Sequence, residues 1–156
     1  MTGKTILLDL DIVAVSSSAA AEKRFYSVNG QRFKTKKEMK AVLGVVPEEE
    51  IERIVEPEPL SHARQMARVL VQSILDACAP LRDYRGYLSG PDNFRYKIAT
   101  LKPYKGNRDR SEEPTWRKDV EEWLLKEYPV ERTQGYEADD RLAVEFTKDT
   151  KNTILA

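Results

Sequence analysis

The chain has 156 residues, with 26 Lys and Arg balanced by 26 Asp and Glu, so its formal charge of zero supplies no global attraction to nucleic acid. It holds one histidine, His62, and one cysteine, Cys78, which excludes a His-rich zinc site, an H-E-x-x-H protease, a four-cysteine ribbon and an internal disulfide. A composition 40% hydrophobic and 33% charged predicts one soluble domain over residues 1–156, and no apolar run approaches the ~20 residues needed to cross a bilayer. With no signal-type N-terminus either, a cytoplasmic protein with no membrane partner is the expectation.

Residues 4–8 form a short apolar run, read as a buried strand with Asp9 at its carboxyl end, the edge where α/β folds place their sites. Residues 25–28 and 31–33 flank Asn29-Gly30, a hairpin signal because that pair supplies the positive φ angles of a type I′ turn. Thr35 can cap a helix to Leu43, and Gly44 can end it. The acidic, proline-bearing residues 47–59 read as a linker or surface loop without chemistry. Residues 61–79 give the longest helix, with Met66, Leu70, Ile74 and Cys78 spaced by four and Pro80 as the stop. Here His62 is expected in a solvated first turn and Cys78 as a small buried hydrophobe.

A second strand is predicted over 84–88, a turn over 89–92 and a further extended segment over 94–98, which makes Asp92 another candidate at a strand end, although a turn former there is the simpler reading. Residues 102–113 are polar and irregular. A helix follows from Pro114 through Trp116, Val120, Trp123 and Leu124, closed by Pro129. Residues 130–133 predict a strand, 136–148 a helix and 153–156 a last strand. The alternation implies a three-layer α/β arrangement with a mostly parallel sheet.

Two features carry chemistry. Gly135-Tyr136-Glu137-Ala138-Asp139-Asp140 sets three carboxylates within four residues at a helix start. Such acids can simply complement the helix dipole, or they can bind a hard divalent cation such as Mg²⁺ or Mn²⁺; Asp9 and Asp11 form a second acidic group that favours the cation. Between Arg95 and Lys118, eight basic residues face three acids and are interleaved with Phe94, Tyr96, Tyr104 and Trp116. That pattern suits stacked bases and phosphates, or else a merely solvated loop.

Together, Ile6-Leu7-Leu8-Asp9, then Leu101-Lys102-Pro103-Tyr104-Lys105-Gly106-Asn107-Arg108-Asp109, then Gly135-Tyr136-Glu137-Ala138-Asp139-Asp140 resemble, in order, the 5′-nuclease family of bacteriophage 5′–3′ exonucleases and flap endonucleases, with its PIN-like fold. The resemblance implies two Mg²⁺ or Mn²⁺ ions in the complete site, held by Asp9, Asp92, Glu137, Asp139 and Asp140, with Asp11 lacking a firm counterpart. It implies catalytic roles for Lys105 and Arg108 over the scissile phosphate, and contacts from Arg95, Lys102, Tyr104, Lys105, Arg108 and Arg110 to DNA bearing 5′ ends or flaps, with RNA left open.

In that family a last strand leads into a Ser-x-Asp-x-Asp segment and a helical DNA-gripping region, which this sequence lacks. A fragment, a truncated gene product, or one half of a split nuclease whose C-terminal remainder is another chain is therefore the expectation. Two other readings stand beside it: a DNA-end-binding remnant that does not cut, and a haloacid-dehalogenase-like Mg²⁺-dependent phosphatase with Asp9 as nucleophile and Asp11 as acid/base. The latter fits less well, since its second acidic pair should follow a strand rather than open a helix.

Overall fold

The computed structural model describes residues 3–99, 101, 105–106 and 112–156. Lys102, Tyr104, Arg108 and Arg110, with most of the segment read as irregular, lie outside the described residues. In chain order the elements are β1 (Lys4–Asp9), α1 (Leu10–Ala20), β2 (Glu22–Val28), β3 (Gln31–Phe33), α2 (Lys36–Leu43), β4 (Glu52–Pro57), α3 (Leu60–Ala77), β5 (Leu81–Leu88), α4 (Phe94–Ile98), α5 (Arg117–Glu127), β6 (Val130–Arg132), α6 (Ala138–Lys148) and β7 (Thr153–Leu155).

β1 is apolar on both faces because both are covered. Ile6 and Leu8 are buried in the main core with Leu10, Val13, Ala67, Val71, Val120 and Leu124, contributed by α1, α3 and α5. Leu7 points the other way and meets Tyr87 with Ala138 and Leu142 of α6. A strand buried on both sides belongs in a parallel sheet, and β1 pairs in parallel with β5 and β7. The four-stranded sheet, order β6-β5-β1-β7, is wholly parallel. Helices on its two faces make the three-layer α/β arrangement expected from the alternation of elements.

A second, antiparallel sheet of order β3-β2-β4 stands apart from it. The hairpin forms around Asn29 (φ 49°) and Gly30 (φ 82°), where the turn requires positive angles. Thr35 caps α2 by accepting from Glu38 N at 3.1 Å, and Gly44 ends it at φ 75°. Val28, Phe33 and Met39 are buried in a small core of their own.

Three expectations are corrected. Residues 47–59 are not a linker: after a 3-10 turn at Glu48–Glu50 they form β4, in full antiparallel register with β2. Lys23 faces Glu56 across the strands, and Arg32 on the hairpin reaches the same carboxylate at 2.8 Å. Residues 94–98 are helical rather than extended, because Asn93 caps them by accepting from Arg95 N at 2.9 Å, while Phe94 N donates to Gly135 O at 2.7 Å. In α3 the fully buried stripe is Ala63, Ala67 and Val71, one position round from the Met66 stripe. Small side chains let α1 approach closely, which leaves Met66, Leu70, Ile74 and Cys78 only partly buried at the flank. His62 is exposed, as expected, and pairs with Glu58.

Among the described residues no helix is long and apolar enough to cross a membrane.

Candidate functional site at the carboxyl edge of the sheet

All four strands of the large sheet run the same way, so their carboxyl ends share one edge, and the loops leaving them carry most of the residues singled out in the sequence. Asp9 is both the last residue of β1 and the N-cap of α1, where its carboxylate accepts from Asp11 N at 3.0 Å. Across the sheet, Glu137 opens α6, and Asp140 reaches back to accept from Glu137 N at 3.1 Å. The acids therefore do cap the helix, as the simpler reading held.

Burial pushes the Asp9 carboxyl above its ordinary value, and the charges of Asp11, Asp139 and Glu137 raise it further, outweighing the bond from Asp11 N. Asp140 moves the opposite way. Its bonds from Arg95 hold it below the ordinary range against some desolvation. Arg95 donates to the two oxygens of Asp140 at 2.6 Å each and to Glu137 at 3.4 Å, a fork geometry that also fixes the guanidinium. Lys105, at φ 56°, pairs with Glu137. Arg95 and Lys105, two cations of the predicted nucleic-acid patch, are thus turned toward the helix acids.

Asp139 is exposed and accepts from the following backbone amide, Asp140 N, at 2.9 Å. Asp92 is exposed in the loop between β5 and α4, and among the described residues no hydrogen bond or ion pair joins it to the other acids. Also among the described residues, no three His, Cys, Asp or Glu side chains converge closely enough to hold a metal ion. Glu137 and Asp140 are instead neutralised by Lys105 and Arg95.

Two residues at this edge carried no functional signal in the sequence. Ser89 follows β5 and had read as a turn residue; its N and Oγ both donate to Asp11, the amide at 2.9 Å. Thr133 follows β6, is buried, and donates to Tyr136 O at 2.6 Å while accepting from Gly90 N at 3.1 Å. Strand-end hydroxyls are common in loops, and no spacing rule links Asp11 to a serine 78 positions away.

Comparison of the chain with protein-family profiles, curated proteins and solved structures gave no match.

Proposed function

We propose that this chain is a divalent-cation-dependent nuclease acting on DNA with 5′ ends or flaps, as its motifs suggest by their resemblance to the 5′-nuclease family. The observation that carries the reading is the shared field of Asp9, Asp139 and Glu137, which come from the end of a central parallel strand and the start of a helix on the opposite face. Separate elements that concentrate negative charge at a sheet's carboxyl edge are what a cation-assisted site requires.

The donor set is chemically suited to Mg²⁺ or Mn²⁺, since Asp9, Glu137, Asp139 and Asp140 offer only hard carboxylate oxygens. A bound cation would supply charge relief on the phosphate and a more acidic water. The chain's own residues would do the rest. Arg95 and Lys105, held by Asp140 and Glu137, keep positive charge at the edge where a phosphate would enter; one well-placed donor of this kind contributes roughly 3–4 kcal/mol to a charge-developing step. No histidine base is needed; His62 lies in the first turn of α3 and pairs with Glu58.

The test is incubation with a 5′-labelled flap duplex and Mg²⁺ or Mn²⁺ beside an Asp139→Asn, Asp140→Asn variant. Cation-dependent cutting that the variant loses by about 100-fold or more is the expected result. The ion pairs that already neutralise Glu137 and Asp140 favour a second reading, DNA-end binding without cutting. Salt-sensitive flap binding with no cleavage would establish that reading, and absence of both would end the nucleic-acid assignment.

A further inference from the structure

Asp11 is the acid for which the 5′-nuclease pattern has no firm counterpart, and the geometry points to a specific role for it, that of a positioning residue which holds the start of α6 in place through Ser89. Ser89 donates twice to this one carboxylate, from N to Oδ1 at 2.9 Å and from Oγ to Oδ2. With its proton committed to Asp11, the Ser89 hydroxyl presents its lone pairs elsewhere, and one accepts from Ala138 N at 2.9 Å. Ala138 is the first residue of α6, fully buried, and sits between Glu137 and Asp139 in the chain.

The relay therefore joins three elements that sequence keeps far apart: the first turn of α1, the end of β5 and the first turn of α6. Its direction is set by charge. An ionised carboxylate can only accept, so it orders the Ser89 hydroxyl proton toward itself, and the hydroxyl oxygen is left facing an amide that needs an acceptor. The four leading amides of a helix have no partner within it. Ala138 N finds one in Ser89, whereas Glu137 N finds one in Asp140. Two anchors, one inside α6 and one outside it, thus fix where Glu137, Asp139 and Asp140 stand relative to Asp9.

Further bonds hold Ser89 itself in place. Arg132 donates to Ser89 O at 3.3 Å, and Gly90 N donates to Thr133 Oγ1 at 3.1 Å. A Cβ on Gly90 would lie 1.9 Å from Thr133 O, so the chain after Ser89 has one narrow path. Both carboxylate oxygens of Asp11 accept from Ser89, so the acid acts through its neighbours.

The consequence for cation binding rests on the nuclease reading, but the relay itself does not, and two measurements separate them. In Asp11→Ala and in Ser89→Ala, exchange of the Ala138 amide with solvent, followed by NMR, should accelerate roughly fivefold or more while amides in the middle of α6 stay unchanged. Ser89→Thr, which keeps N–H and hydroxyl, should restore protection. The double substitution should add little to either single one, because both break the same chain. Unchanged Ala138 protection in Asp11→Ala, or additive effects in the double variant, would overturn the relay. Ser89→Ala removes only one oxygen and carries the test should Asp11→Ala fold poorly.

The second measurement is Mn²⁺ affinity by electron paramagnetic resonance on the same proteins. Loss of an orienting partner typically weakens a metal site by about tenfold or more, and that loss is expected for both Ala variants at a temperature where each remains folded. Wild-type affinity in both would overturn the positioning role. A wild type that binds no Mn²⁺ would overturn the nuclease reading, and Ala138 exchange would then decide the relay alone.

Discussion

Asp9 stands where the proposed function and stability oppose each other. Burial and the neighbouring charges of Asp11, Asp139 and Glu137 raise its carboxyl, so the folded state favours the neutral form. That preference contributes stability below the ordinary carboxylate range, and the contribution is lost as pH rises through the raised folded value. At neutral pH the ionised group is a net burden. Asp9→Asn keeps an acceptor for Asp11 N while removing the charge, so thermal melts should show a gain of about 1–3 °C at neutral pH, closing as the solution is acidified toward the ordinary range. An unchanged or lower melting temperature at neutral pH would show that the cap outweighs the repulsion. The same substitution should abolish cation-dependent activity, a trade often found at sites built from like charges.

At the scale of elements, Glu22 ties the antiparallel sheet to the approach of α5. Its side chain is only 1% exposed, and it accepts from Arg24 Nε at 2.6 Å, from Thr115 N at 2.9 Å and from Thr115 Oγ1 at 2.8 Å. Arg24 in turn donates to Glu112 O at 2.7 Å, and Trp116 Nε1 donates to Glu58 O at 2.7 Å, just beyond β4. Burial alone would push the Glu22 carboxyl up, but these donors outweigh it and hold it below the ordinary range. Stability from this group is therefore present above the ordinary Glu range and lost as pH falls through the lowered folded value. Glu22→Ala should cost about 2 kcal/mol at neutral pH, a drop of roughly 4–8 °C, and the gap from wild type should narrow under acid. A neutral substitution would mean that Arg24 and Thr115 find other partners.

For the molecule as a whole, two cores of unequal size predict unequal opening. The main core spans β1, β5 and three helices, with Ile6, Ala67, Leu88 and Leu124 wholly buried, whereas Val28, Phe33 and Met39 form a small cluster beside the exposed Val42 and Val45. Less apolar area buried means less free energy to open. Native-state hydrogen exchange should show amides of β2 and β3 near Val28 and Phe33 opening below the global free energy, while Ile6 and Leu88 exchange only with global unfolding. Equal opening energies would make the two sheets one cooperative unit.

Much of this was legible in local sequence, because the signals are local in origin. An apolar run with buried faces on both sides, Asn29-Gly30, the Thr35 cap with Gly44, and the acids opening α6 all act within a few residues. The strand β4 was missed because its pairing with β2 lies outside its own composition, which is that of a solvated acidic loop. Residues 94–98 alternate like a strand, yet a cap from Asn93 and a bond to Gly135 made them a helix. The residue types of the candidate site, hard carboxylates beside Lys and Arg, were determined by the sequence. Only the tertiary structure decided how they pair: Arg95 with Asp140, Lys105 with Glu137, and Asp11 with Ser89. Charges and hydroxyls act over a few ångströms of space, and parallel strands bring to one edge loops that the chain separates by dozens of residues.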